Sequence, residues 1–123
     1  MSSILVIEDQ EVLCRLYEAV LGELRHEVVI AYTGEEGLNA ARESRPDLII
    51  LDLELPGISG ITVAQALQYE GILPGIPVII TTATPREEVL QMTRSIEILE
   101  ILIKPFDILV LLDAIGDALA NPK

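Results

Sequence analysis

The 123-residue chain is predicted to fold as a doubly wound α/β domain: five parallel strands and five helices stacked in three layers, α/β/α. Three observations predict it. Short runs of Ile, Leu and Val alternate along the chain with longer stretches that are apolar at every third or fourth position. Strands apolar on both faces belong in a sheet covered on both sides, and helical crossovers between them make that sheet parallel. Half of the residues are hydrophobic, with three Tyr, one Phe and no Trp, so there is material for a core and that core is aliphatic. Right-handed crossovers complete the doubly wound arrangement.

Ile4 to Ile7 reads as the first strand. Val12, Leu13, Leu16, Tyr17, Val20, Leu21 and Leu24 then repeat at helical spacing. Val28 to Ala31 reads as the second strand, and Thr33 with Glu36 three residues on forms a capping box that opens a helix to about Ser44. Leu48 to Leu51 is the third strand, followed by a helix from Ser59 or Gly60 to Tyr69. The fourth strand is Pro77 to Thr81, with Pro at its entry, where a missing donor does least harm. Pro85 starts the fourth helix, where its lost N–H would be unpaired anyway, and the pattern carries that helix to Arg94 or Ser95. Leu99 to Ile103 is the fifth strand and Asp107 to Leu119 the last helix. One domain over 1–121 is expected, with 122–123 as a C-terminal tail or linker stub.

Charge excludes some functions. Twenty acidic residues against eight basic ones give a formal net charge of −12, which repels nucleic acid and anionic membranes. Neither direct nucleic-acid binding nor membrane binding is expected. Met1-Ser2-Ser3 leads straight into the first strand without the pattern of a signal peptide. No apolar run approaches the roughly 20 residues that span a bilayer. A soluble cytoplasmic protein is the expectation. The single cysteine, Cys14, allows no internal disulfide and reads as inert, and the single histidine, His26, reads as a surface residue in a turn. No GxGxxG or P-loop motif supports nucleotide binding.

In a doubly wound sheet, ligands bind beyond the carboxyl ends of the strands, where the strand order reverses. Glu8 and Asp9 follow the first strand, Asp52 the third, Thr82 the fourth and Lys104 the fifth. With strand order 2-1-3-4-5, three carboxylates converge on one crevice. Two unit charges about 4 Å apart repel by roughly 4 kcal/mol at an effective dielectric near 20. A small hard cation with oxygen ligands offsets that cost, and Lys104 offsets part of the remainder. Taken singly, Glu8 and Asp9 read as acids favouring a helix dipole, Thr82 as a strand residue and Lys104 as a surface charge. Their coincidence at the strand ends is what points to a site.

These residues carry a resemblance. Glu8-Asp9, the run Asp52-Leu53-Glu54-Leu55-Pro56-Gly57-Ile58-Ser59-Gly60, Thr82-Ala83 and Lys104-Pro105-Phe106 resemble, in order and spacing, the receiver domain of two-component response regulators, a CheY-like superfamily with a flavodoxin-like fold. The resemblance covers essentially the whole chain. It implies that Asp52 is the phosphoacceptor and that Glu8, Asp9, Asp52 and the backbone carbonyl of Glu54 hold Mg²⁺, with Mn²⁺ as a substitute. It implies that Thr82 turns toward the phosphoryl group, that Lys104 pairs with it, and that Glu54 and Thr84 tune phosphoryl lifetime. It implies that Pro105 follows a cis bond. The implied partners are a sensor histidine kinase or histidine phosphotransfer protein, and a downstream protein or output domain at the face of the fourth helix, fifth strand and fifth helix, with a homodimer as a further expectation. The domain would catalyse only its own phosphorylation and dephosphorylation.

The chain departs from the family pattern in places. Ile101 stands where the family usually has a switch aromatic, and Glu97-Ile98 replaces a usual Gly-Ala, so the end of the fourth helix is expected to be remodelled. Glu54 brings a negative side chain to the site and is expected to slow reaction with small anionic donors by repulsion. The apolar segment from Ile96 to Ile103 reads as core strand, with some members expected on a partner face. Two other functions compete with a switch. One is a degenerate receiver acting as a phosphorylation-independent docking or dimerisation module. The other is an aspartyl-phosphate hydrolase, whose Asp-x-Asp-x-Thr pattern Asp52-x-Glu54-x-Pro56 lacks.

Overall fold

The computed structural model describes residues 2–120, so the expected domain end at 121 and the tail at 122–123 lie outside the described residues. Strands and helices alternate strictly: β1 (Ser3–Ile7), α1 (Glu11–Glu23), β2 (Glu27–Ala31), α2 (Gly34–Ser44), β3 (Leu48–Asp52), α3 (Gly60–Tyr69), β4 (Val78–Thr82), α4 (Arg86–Met92), β5 (Glu100–Ile103) and α5 (Ile108–Ala120). The sheet is parallel throughout, in order β2-β1-β3-β4-β5.

Period-two alternation along each strand sends side chains to opposite faces and so builds two cores. Leu5, Ile7, Ile49, Leu51, Val78, Ile80 and Ile101 pack beneath α2, α3 and α4. Ile4, Val6, Leu48, Ile50, Ile79 and Leu102 pack beneath α1 and α5. Because both faces are covered, β3 and β4 are buried at every position, which is why they read as unbroken apolar runs.

The capping box at α2 forms. The Glu36 N–H donates to Thr33 Oγ1 at 3.1 Å, while the Glu36 carboxylate reaches back to the Tyr32 N–H at 2.8 Å. Ser59 caps α3, with Thr62 N–H donating to its hydroxyl at 3.3 Å. The Lys104–Pro105 bond is cis as expected, and Leu73–Pro74 is cis as well.

The apolar stripe of α1 is only partly buried: Cys14, Tyr17 and Leu21 are buried, but Val12, Leu16 and Leu24 are exposed, Val12 by 82%. Two expectations need correction. The fourth helix stops at Met92 rather than Arg94 or Ser95. Thr93 ends it, with its buried hydroxyl donating to the Val89 carbonyl at 2.8 Å, and the chain turns so that Ile96 enters the core. His26 does sit beyond the α1 turn but is half-buried, its Nδ1 lacking a hydrogen-bond partner among the described residues.

Candidate functional site

Strand register assembles the site. Ile7 of β1 lies opposite Leu51 of β3, so the next residues, Glu8 and Asp52, leave the sheet side by side. Asp52 lies opposite Thr81 of β4, and Thr82 lies opposite Ile103 of β5, which brings Lys104 in from the far side. The Lys104 N–H donates to the Thr82 carbonyl at 2.7 Å and continues the ladder one step past the strand. Between β1 and β3 the chain leaves the sheet in opposite directions, and that divergence opens the crevice.

Gly60 fixes the far wall. Its N–H donates to the Leu53 carbonyl at 3.0 Å, and a Cβ there would collide with the backbone oxygen of Asp52 and lie 2.7 Å from Leu53 Cα. Only glycine lets α3 start this close to the strand end. Gly57, at φ +75°, makes the left-handed turn that brings the chain back to Ser59.

Glu8, Asp9 and Asp52 each place a carboxylate oxygen within 4.8 Å of the others. Glu8 and Asp52 are buried and Asp9 is exposed at the mouth. Lys104 Nζ donates to Glu8 Oε1 at 2.9 Å and lies 3.3 Å from Asp52 Oδ2. The other Glu8 oxygen accepts from the Gln10 N–H at 3.1 Å, and Asp52 Oδ1 accepts from the Glu54 N–H at 3.0 Å. Of the three carboxylates, Glu8 and Asp52 thus share one ammonium.

The electrostatics follow from that shortage. Burial pushes the Glu8 carboxyl up to about 7; the hydrogen bond from Lys104 opposes the rise and the charge of Asp52 adds to it. Burial acts to lower the Lys104 ammonium, but its hydrogen bond to Glu8 and the charge of Asp52 outweigh that, so it is held above the usual lysine range and stays cationic. The donor set is oxygen only, hard and net negative, which fits a small divalent cation that keeps part of its water shell.

Sequence reasoning missed two features. Tyr17 lies buried near the acids: burial first, then the charges of Glu8 and Asp52, raise its phenol above the ordinary range and keep it protonated. Its signal was a lone aromatic within an otherwise aliphatic stripe. The second is what Glu54 does. Its carboxylate does not project freely beside Asp52 but crosses to the loop after β4. There it accepts from the Thr82 hydroxyl, from the Ala83 N–H at 2.7 Å and from the Thr84 hydroxyl at 3.1 Å. Thr82 Oγ1 in turn accepts from the Thr84 N–H at 3.0 Å. Glu54 and Thr84 were singled out from the sequence, but their contact was not.

Ile101 is a core residue, 4% exposed, and its carbonyl accepts from the Arg86 guanidinium at 2.7 Å. Cys14 is buried, its thiol donating to the Glu8 carbonyl at 3.3 Å, and burial pushes that thiol up to about 11. It is inert, as expected.

An acidic crevice at the switch point of a doubly wound sheet, closed by a lysine that follows the edge strand, is the arrangement this chain presents. The family model described as the response regulator receiver domain matches residues 4–116, and the chain belongs to that family. Such domains act in signalling. The chain is 38% identical over 81 residues to the polar-differentiation response regulator DivK of Brucella anthropi, a match covering 66% of this chain and 66% of that protein. It is 43% identical over 74 residues to the transcriptional regulatory protein AfsQ1 of Streptomyces coelicolor, covering 60% of this chain and 33% of that protein. The response regulator protein TrrA of Thermotoga maritima, solved in complex with Mg²⁺ and BeF, superposes with a TM-score of 0.82 at 29% identity, over 96% of this chain and 99% of that one. Among the described residues, no helix is long and apolar enough to cross a membrane.

Proposed function

We propose that the chain is a phosphoacceptor switch, in which Asp52 takes a phosphoryl group from the phosphohistidine of a sensor histidine kinase or histidine phosphotransfer protein. The observation that carries this reading is the trio Glu8, Asp9 and Asp52 gathered within 4.8 Å of one another, two of them, Glu8 and Asp52, paired with Lys104. Those carboxylates and the Glu54 backbone carbonyl would hold Mg²⁺, or Mn²⁺ in its place. The cation supplies charge neutralisation for the phosphoryl oxygens and for the attacking carboxylate. That TrrA binds Mg²⁺ and BeF on the same fold supports the assignment.

In the forward step an oxygen of Asp52 bonds to phosphorus as the phosphorus–nitrogen bond of the donor breaks, and the electron pair stays on the donor imidazole. Lys104, already 3.3 Å from Asp52, pairs with a phosphoryl oxygen. Thr82 and the Ala83 N–H take another. In a separate dephosphorylation step water attacks phosphorus and gives up a proton to solvent, the bond from phosphorus to the Asp52 oxygen breaks, and Asp52 leaves as a carboxylate with release of inorganic phosphate. The domain, taken as 1–121 with 122–123 as tail or linker stub, therefore catalyses only its own phosphorylation and dephosphorylation.

A donor must reach Asp52 from the strand ends. Beside Lys104 lies a cleft of about 640 Å³ lined by Val12, Leu13, Leu16, Phe106 and Ile108, and the exposed apolar residues of α1 belong to it. That surface suits a phosphohistidine-bearing helix. Output is read on the face of α4, β5 and α5, by a downstream protein, an output domain or a second copy. Leu90, Met92 and Leu99 are exposed there.

The test uses Mg²⁺ with beryllofluoride. Wild type should bind Mg²⁺ saturably, gain melting temperature on binding and form an adduct, and Asp52→Asn should form none while staying folded. Absence of any adduct in wild type would leave the second reading, a phosphorylation-independent docking module. One observation favours that reading: Glu54 already holds the Thr82 hydroxyl that a phosphoryl group would engage.

A further inference from the structure

Glu54 does more than add charge beside Asp52. Its carboxylate occupies the Thr82 hydroxyl and the Ala83 N–H together, and takes the Thr84 hydroxyl as a third donor. These groups stand at the end of β4, one strand over from Asp52, and are the donors that an oxyanion attached to Asp52 would need. A carboxylate oxygen and a phosphoryl oxygen ask the same of a donor: a short, charge-assisted hydrogen bond. The two cannot both be satisfied by one hydroxyl and one N–H.

We propose that the Glu54 carboxylate is an internal competitor for the phosphoryl cradle. It latches the loop after β3 to the loop after β4 and must swing out before Thr82 and Ala83 can bind a phosphoryl group on Asp52. This rests on the phosphoacceptor reading given above. The latch reverses the simpler expectation that Glu54 only repels anionic donors. Repulsion acts on approach and is screened by salt, whereas occupation acts on the bound state and persists when charges are screened. Glu54 is an exposed residue, so its side chain has room to swing out. The latch lowers apparent affinity by the fraction of time the cradle is free, so a cradle open about a tenth of the time costs about tenfold.

Two measurements on the full chain decide the matter. The first needs neither metal nor donor. The Ala83 amide is on an exposed residue, and its bond to Glu54 at 2.7 Å should protect it from hydrogen exchange. Glu54→Ala should lose that protection, with the amides of β4 unchanged. The second is Mg²⁺-dependent beryllofluoride affinity of wild type, Glu54→Ala and Glu54→Gln, at low salt and at 1 M salt, where the Debye length falls to about 3 Å. Glu54→Ala should bind about tenfold more tightly than wild type at both salts. Glu54→Gln, which keeps an amide oxygen as acceptor but loses the charge, should fall between them. A gain that vanishes at 1 M salt, or an Ala83 amide indifferent to Glu54, overturns the latch while leaving the phosphoacceptor reading intact. Failure of both wild type and Glu54→Ala to bind beryllofluoride overturns the phosphoacceptor reading, and the competition falls with it.

Discussion

The two sides of the crevice are built differently. On the β1–β3 side, Glu8 and Asp52 leave adjacent strands that are buried except at Ser3, and Gly60 presses the start of α3 against the Asp52 backbone. α3 buries Gly60, Val63, Ala64 and Leu67. On the β4–β5 side, α4 has seven residues and buries only Val89, and the segment that follows it is turn rather than helix. The wall carrying the acceptor is clamped from both faces of the sheet. The wall carrying Thr82 is covered on one face by a short helix that buries only Val89, with Thr93 and Ile96 buried just after it, and its rim is tied by the hydrogen bonds of Glu54. Elements that move in switching are drawn from the weakly anchored end of a structure, because a rearrangement there costs little buried surface. On the phosphoacceptor reading proposed above, a rigidly held Asp52 beside a loosely anchored Thr82 would suit a switch.

The sharpest way to break this contrast is at Gly60. Gly60→Ala drives a Cβ into the Asp52 carbonyl and Leu53 Cα, backbone on backbone, with no flexible side chain to yield. A cost of about 3 kcal/mol in denaturant unfolding is expected, the upper part of the overpacking range. The cluster that gathers the carboxylates should loosen with it, weakening Mg²⁺ binding in titrations of the folded fraction. A cost under about 1 kcal/mol would mean that the acceptor wall yields easily, and the contrast would lose its rigid half.

The same division explains what was legible in the sequence. The strands, the helices and the positions of Glu8, Asp9, Asp52, Thr82 and Lys104 at the strand ends were readable because they depend on periodicity and on which residue follows each strand, whereas the strand order came with the family resemblance. A parallel sheet leaves little freedom there. The Thr33–Glu36 cap was readable because the two groups that bond are three residues apart. What could not be read depends on contacts between segments distant in the chain. Glu54 and Thr82 are 28 residues apart, and nothing in either neighbourhood says that one carboxylate will reach across rather than into solvent. The early end of α4 is of the same kind. The helical pattern runs on past Met92, but burying Ile96 and Ile101 in the core beside Val89 takes the chain out of the helix.

Equal chemistry at Val63 and Val89 sharpens the comparison. Both are fully buried, one in α3 and one in α4. Truncation to Ala should remove about 1.6 kcal/mol of burial at either site, two methylene-sized groups at roughly 0.8 kcal/mol each. The losses should appear in different places. Val63→Ala should lower global stability and raise exchange across the core strands. Val89→Ala should raise exchange over the amides of Arg86–Met92 first and spare β1 and β3. If both variants lower protection uniformly, α4 belongs to the same cooperative unit as α3, and the switch would have to work without a separately loosened wall.

The smallest effect is expected at Leu99, which stands 47% exposed just before β5. Its neighbours Ile96, Ile101 and Leu102 are buried, so the unusually apolar segment is mostly core, with Leu99 as the member left on the surface. Leu99→Ser should change the unfolding free energy in denaturant titration by no more than about 0.5 kcal/mol, as exposed positions do. A stability change that small, together with loss of self-association or of partner binding, would place Leu99 on the output face rather than in the fold. A cost above about 1.5 kcal/mol would instead assign it to the core. The weakly anchored wall would then have a further buried support, and the difference between the two sides of the crevice would narrow.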